Sequence, residues 1–514
     1  MTIKIFITLG LMCVISSASI GQSITEAVRY SVSDYASTAR SIAVGGAFSS
    51  LGADISAVSS NPAGLGEYKY GEYVLSVGTS ILSNTANLRG ELSSSSAASF
   101  NLGVLGFVST NRHRSSSAIT YSSFVISLNK FLDFGESFEY SATTSGSIAE
   151  RFTERANGLS PGDLGSFEAG PAFDAGVIFD FDRDNFYETD FNNFQVPVLK
   201  TQTVDRQGSG LELAFGYGAN INNKVSVGVS IGIPFFSFEE NKVYREIDES
   251  NRIDFFENLE YTEFLETSGA GFNAKLGVII KPTKKLRVSL AGHSPSFMFL
   301  NDNFNTNLSY TFNDTGSPQT SIGSSGTFPP FQYGITTPWR AISGAAYMFS
   351  IGQLRQRRNE DDAKFAARKR KQLRGFISGE VEFLSYSHAS FNLTSNSNNP
   401  LDQILENDLN NQIDSDLGSA VIVKLGAELA QNKLRYRAGI RYEPSAFKAV
   451  SDPNITFSGG LGYRMGRIFL DLAGSFNLAE QVYSPYFLIN DANNQRVNLE
   501  QQRINIDFTL GYKL

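Results

Sequence analysis

Along the last eleven residues apolar and polar side chains alternate without a break. Ile504, Ile506, Phe508, Leu510, Tyr512 and Leu514 stand against Asn505, Asp507, Thr509, Gly511 and Lys513. Successive side chains of an extended strand point to opposite faces, so this segment has one apolar face and one polar face. The same period recurs upstream. Leu211, Leu213, Phe215, Tyr217 and Ala219 form one apolar row and Val225, Val227, Val229, Ile231 and Ile233 the next, with Asn222-Asn223 as a tight hairpin between them. Gln431-Asn432 and Met465-Gly466 mark further tight turns between alternating runs.

Short turns of this kind alternate with long connections. The pattern predicts about fourteen strands, over 70–83, 97–109, 118–130, 208–221, 224–238, 267–281, 285–299, 338–351, 374–391, 418–430, 433–446, 454–465, 467–489 and 499–514. The long connections are 131–207, with a short helix at Ile148–Ala156, then 239–266, 300–337 and 392–417. A soluble sandwich would bury the apolar face against a second sheet. A transmembrane barrel would turn it to lipid, with short periplasmic turns, long outer loops and an even strand count. The third strand, Ala118 to Lys130, carries no Gly or Pro to announce a kink.

The N-terminus and the composition favour the barrel. Lys4, the apolar run Ile5 to Ile15 and the small residues before Gln22 read as a secretory signal peptide over 1–21, which together with the barrel reading places the chain in the cell outer membrane. The one cysteine, Cys13, lies inside that peptide, so the mature chain is expected to hold itself together without disulfides. Hydrophobic content is 41%, too low for a helical membrane protein, while 41 Phe, 21 Tyr and 46 Gly suit strand walls with aromatic girdles. A net charge of -8 argues against nucleic acid as a partner, which would need a basic footprint.

Between the signal peptide and the first strand the chain does not alternate. Ala39 to Phe48, which includes Gly45-Gly46, is followed by Ala53-Asp54 and Asn61-Pro62-Ala63-Gly64-Leu65. Small residues and turn formers suit a compact segment packed inside something. Here the sequence resembles the FadL/TodX family of outer-membrane transporters for long-chain fatty acids and other hydrophobic compounds, and especially its Bacteroidetes members. The resemblance rests on Gly45, Gly46, Asp54, Asn61, Pro62 and Ala63, and also on Ser230–Pro234, Thr337-Pro338-Trp339-Arg340 and Gly375–Ser387. It implies an all-β membrane protein, a 14-stranded barrel over 70–514 plugged by an N-terminal hatch over 22–69. It also implies capture by outer loops, an internal site near Gln22 to Val28, movement of the hatch, and sideways release at a kinked third strand. The implied partners are a hydrophobic substrate, outer-membrane lipid and lipopolysaccharide, and the barrel-assembly machinery, for a monomeric chain without cofactor or metal. A FadL-like scaffold or shuttle in protein secretion is the alternative.

Several strands carry charge on the inward face: Lys424 and Glu428, Arg435, Arg437, Arg441 and Glu443, Glu380 and Glu382. Two readings stand. The charges form an ion-paired network supporting the hatch, or Lys424, Arg435, Arg437 and Arg441 bind a substrate carboxylate. Phe297, Phe299, Phe304 and Phe331 fit either a capture groove or the girdle and loop core. The basic segment 352–373, with Arg355, Arg357, Arg358, Lys364, Arg368, Lys369, Arg370 and Lys371, reads as a solvated tip or a patch for anionic lipid or a periplasmic partner. Enzyme chemistry finds no footing. Gly228-Val229-Ser230-Ile231-Gly232 spells a nucleophile elbow in mid-strand, Gly269 to Ala274 imitates a dinucleotide fingerprint without its βαβ unit, and the three histidines are far apart in sequence.

Overall fold

In the computed structural model the polar faces of the strands are buried and the apolar faces exposed. On the C-terminal strand Ile504, Ile506, Phe508, Leu510 and Tyr512 are each more than 40% exposed, while Asp507 and Thr509 are 7% and 1% exposed. Likewise Val227, Val229 and Ile231 face outward and Ser226 and Ser230 are buried between them. A sandwich would show the reverse. An apolar exterior around a polar interior is what a closed sheet in lipid requires, because its backbone groups must all be paired within the sheet.

The described residues are 24–31, 38–191, 194–314, 316–352, 361–362, 365, 372–393, 400–489 and 494–514. The signal-peptide reading of 1–21 and all eight basic residues of 352–373 lie outside them. Fourteen staves form the wall: β1 (Glu72–Leu88), β2 (Glu91–Arg112), β3 (Ile119–Asp133, extended by Glu136–Thr144), β4 (Val198–Ile221), β5 (Val225–Ile247), β6 (Phe256–Ile280) and β7 (Leu286–His293, then Phe297–Phe312). The circuit continues through β8 (Phe331–Thr336, then Arg340–Ser350), β9 (Arg374–Ser385, then Ser390–Asn392), β10 (Ser419–Gln431), β11 (Leu434–Glu443), β12 (Asn454–Met465), β13 (Ile468–Tyr483) and β14 (Val497–Lys513). All pairings are antiparallel, and β14 meets β1 from Glu72↔Lys513 to Asn87↔Asn498, which closes the barrel. Each predicted strand falls on one stave. At the β4–β5 turn Asn222 and Asn223 both take left-handed φ (52° and 56°), the geometry of a two-residue hairpin.

On the long-loop side the staves overrun their predicted ends. β5 reaches Ile247 and β6 starts at Phe256, so most of 239–266 is hairpin and not loop. Strand also occupies the ends of 131–207 and much of 300–337, which adds a hairpin strand at Gln319–Ser324. The physical reason is the loss of lipid. Beyond it the outward row becomes charged, as where Arg245 Nε meets Glu260 at 2.6 Å, and the apolar alternation that located the strands disappears. Helix α1 (Ile24–Ser31) lies inside the barrel, α2 (Ile148–Ala156) forms as expected with Ser147 as its N-cap, and α3 (Pro400–Asp416) fills most of 392–417. Leu409 and Ile413 of α3 face inward and cover the top of the lumen.

Candidate functional site

The half of the lumen near the short turns is filled by residues 38–68. A helical turn at Ala39–Ile42 is capped by Thr38, and two 3₁₀ turns follow, Ile55–Val58 capped by Asp54 and Pro62–Glu67 capped by Asn61. Asp54 knits this inner segment together, accepting from Thr38 Oγ1 (2.9 Å), Ser56 N (3.1 Å) and Ser56 Oγ (2.7 Å). Asn61 accepts from Ala63 N at 3.1 Å while its amide donates to Ser49 O at 2.8 Å. The wall is shaped to receive the segment. A β-carbon at Gly228 would overlap the Pro62 carbonyl, one at Gly439 the backbone of Val44 and Gly45, and one at Gly277 the Asn61 side chain.

Polar bonds fasten the segment around the lumen. Ala39 N donates to Thr509 Oγ1 (2.8 Å), Ser49 N to Glu380 (2.9 Å), Ser59 Oγ to Glu212 (2.7 Å), and Ser230 Oγ to Val58 O (2.7 Å). His293 Nε2 lies 2.6 Å from Ser60 O, and since a carbonyl only accepts, this nitrogen carries the proton. Glu67 pairs with Lys281 at 2.6 Å and Arg287 at 3.4 Å. Burial raises its pKa, but Arg287 and Lys281 outweigh that and hold the carboxyl below its usual range.

The other half of the lumen is apolar. Phe131, Phe134, Phe236, Phe238, Met298, Leu300 and Tyr333 form one cluster, and α1 is packed into it through Ala27 and Tyr30. Tyr30 stacks on Phe236 with centroids 4.4 Å apart, and the Arg29 guanidinium sits 4.0 Å from the Phe238 ring. Glu26 is buried there, 3.4 Å from Tyr333 Oη. Loss of water, with the Asp302 carboxylate nearby, raises its pKa well above the ordinary range. Between the two halves β7, β8 and β9 all break, at 294–296, 337–339 and 386–389.

The wall itself divides beside this cluster. β2 and β3 pair from Arg112↔Tyr121 to Val104↔Asn129, and there the ladder stops. Glu91–Leu102 of β2 pair with β1 alone, while Glu136–Thr144 stay with β4. No ladder joins those two stretches among the described residues. The bend lies at Phe134-Gly135. Beyond it the strand runs inward, burying Phe138, Tyr140 and Ala142 against Ala86, Leu88, Val497 and Leu499. Side chains bridge the interrupted ladder: Asp133 accepts from Asn101 Nδ2 (2.8 Å) and Gly135 N (3.1 Å), with Lys130 at 3.4 Å and Arg503 at 3.9 Å, and Ser95 Oγ donates to Ser137 O at 2.9 Å. The predicted strand ended at Lys130 because Phe131 and Leu132 are both buried and break the alternation. The glycine that marks the kink stands just past that end.

The predicted lumen cations are all drawn into local contacts. Lys424 Nζ reaches Glu380 (3.0 Å) and Glu382 (2.8 Å), Arg437 reaches Glu428 and Asp471 (2.7 Å each), and Arg441 meets Glu443 at 2.8 Å. Arg435 lies 3.9 Å from Glu428 and donates to the carbonyls of Asn432 and Leu434. Sequence reasoning passed over a second set. Lys275, His293 and Arg340 are cross-strand partners on β6, β7 and β8, with Lys275 bonded to Glu212 and Arg340 to Glu382, each at 2.5 Å. A lysine among Phe272, Ala274, Leu276 and Val278 was the available signal. Of the four loop phenylalanines, Phe297 and Phe299 face outward, whereas Phe304 and Phe331 pack against the internal cluster.

The sequence matches no family model and no curated protein. Among solved structures the chain is similar to a Pseudomonas aeruginosa FadL homologue, with 11% identity, 93% of this chain and 98% of that chain covered, and a TM-score of 0.50. It is also similar to the Ralstonia pickettii toluene transporter TbuX (12%, 93% and 98%, TM-score 0.46) and the Pseudomonas putida toluene transporter TodX (13%, 92% and 97%, TM-score 0.45). The class defined by the closed circuit is the fourteen-stranded antiparallel β-barrel of outer membranes. Within that class the first of these likenesses gives the fold as that of the FadL type.

Proposed function

We propose that the protein is an outer-membrane transporter for passive uptake of hydrophobic small molecules, with long-chain fatty acids and aromatic hydrocarbons as the classes to try first. The observation that carries this reading is the divided β2–β3 seam beside an apolar cluster inside the barrel. A solute that replaces α1 in the cluster exchanges water for apolar surface, at roughly 25 cal/mol per Å² buried. It then leaves sideways through the seam into lipid. The inner segment is the hatch, and it keeps the direct route shut to polar solutes. Lys424, Arg437 and Arg441 act as its support through their carboxylate partners, since a cation already paired in the lumen has little left to offer a second anion.

The fold and the FadL homologue it matches support the reading, as does the placement of α1. The test is uptake of a labelled long-chain fatty acid and of toluene in a strain lacking the protein, with and without complementation. Uptake of at least one class should fall on deletion and return with the intact chain. Normal entry of both classes without the protein removes the proposal.

A further inference from the structure

Under the C-terminal end of α1, where the apolar cluster meets the hatch, lies a cavity of about 20 Å³, room for roughly one water molecule. Its upper wall is apolar, with Tyr30, Phe131 and Met298; its floor is polar, with Lys275, His293 and Arg340 beside Asn273, Ser296 and Thr337. That is the meeting point of an oily compartment and a hydrogen-bonding base, which suits a molecule with one apolar and one polar end.

The charge on the floor is already balanced. Lys275 is bonded to Glu212 with both side chains 1% exposed, and Arg340 to Glu382 at 7% and 1%. Glu382 also holds Lys424, and Lys424 holds Glu380, so two cations face two carboxylates in that group. Glu212 and Glu380 carry a further duty, accepting from Ser59 Oγ and Ser49 N of the hatch. A carboxylate entering here loses its hydration and finds each cation engaged, so it must either go unpaired or break a pair and strand a buried glutamate. A hydroxyl or carbonyl needs only ordinary donors and acceptors. Ser296 Oγ, which accepts from Asn273 Nδ2 (3.1 Å), and Thr337 Oγ1, which accepts from Ser296 N (2.9 Å), are hydroxyls on the floor that take part in neither ion pair, whereas Asn273 is itself bonded to Glu212 and Lys275.

We propose that this site selects neutral amphipaths, a long apolar body ending in a hydroxyl, ester or carbonyl group, and discriminates against the matching carboxylate. The inference rests on the transport reading and narrows its substrate class. The polar end sits on the β6–β8 floor and the apolar body takes the place of α1. Because His293 and Glu212 also hold Ser60 and Ser59, occupancy of the floor acts directly on the turn that leads into Asn61.

The test is direct binding of tritiated 1-dodecanol and tritiated dodecanoate to the purified full chain at pH 8, where an ordinary imidazole is neutral. The expected result is binding of dodecanol at least tenfold tighter. Equal or tighter binding of dodecanoate overturns the selectivity and leaves the transport reading standing, and binding of neither ligand overturns this inference while the transport reading is decided by the uptake test. Glu212→Gln frees Lys275 from its carboxylate, and should raise the affinity for dodecanoate about tenfold relative to that for dodecanol. Glu382→Gln does the same for Arg340 if the first variant does not fold. A folded variant that gains nothing for dodecanoate overturns the charge-balance argument.

Discussion

The inner segment 38–68, the proposed hatch, and α1 come from the same end of the chain and both lie inside the barrel, yet they are held in opposite ways. Residues 38–68 are interlocked with the wall at backbone level, where glycines remove the β-carbons that would collide, and polar bonds fasten them around the lumen. α1 is held chiefly by ring packing and burial, with one cation–π contact and a long hydroxyl–carboxylate contact at Glu26. An apolar solute can reproduce what α1 offers its surroundings. It cannot reproduce what the hatch offers. Under the proposed transport the upper compartment is the one a solute exchanges into and the lower one is retained, and the β2–β3 ladder stops beside the exchangeable part.

The sharpest break of that contrast is to sew the seam shut. A β-carbon at Gly135 lies 3.2 Å from that of Ser99, close to the spacing a disulfide spans. Ser99→Cys with Gly135→Cys should lower uptake of hydrophobic solute at least tenfold under oxidising conditions, with recovery on reduction. Cys13 is the only native cysteine, so a Cys13→Ser background leaves the pair without a competitor. Full cross-linking with unchanged uptake removes the seam as an exit.

A smaller effect is expected from loosening the retained half. Gly228→Val drives a side chain into the Pro62 carbonyl, and overpacking of this kind costs about 1–3 kcal/mol. The hatch should shift and the barrier should leak, read as several-fold greater sensitivity of cells to a large polar antibiotic, with hydrophobic uptake little changed. Intact exclusion with a correctly folded barrel means that the glycine contact does not hold the hatch.

The smallest effect concerns α1 and pH. The Glu26 pKa is raised in the docked state, so docking binds a proton at pH values between its ordinary value, near 4.5, and the raised one. Docking is strongest below that window and weakens as pH rises through it. Amide exchange of residues 24–31, corrected for intrinsic rate, should be faster at pH 8 than at pH 5.5, and Glu26→Gln should flatten the difference. A pH-independent wild type shows that Glu26 does not govern docking.

The wall was legible because lipid imposes period two on every stave it touches, as in Val225 to Ile233 and Ile504 to Leu514. The segment 38–68 was legible by contrast, being the stretch rich in small residues where that period stops. What escaped notice did so for physical reasons. The upper half of β3 leaves the membrane-facing row at Phe131-Leu132, so pattern gave it no signature, and Gly135 then looked like loop. Arg340 and Lys275 sit beside Glu382 and Glu212 only through pairing across strands far apart in sequence.

The length of β5 and β6 has a consequence for where a solute first meets the protein. They run 23 and 25 residues, roughly 75–80 Å along the strand at 3.3 Å per residue, or about 55–60 Å of height at a barrel's tilt. An apolar band takes up only about 25 Å of that. With the short turns in the periplasm, the mouth of the barrel stands about 30 Å clear of the acyl chains. On the transport proposal, an oily molecule is taken from water on a protein rim and lowered past the charged headgroups inside the barrel.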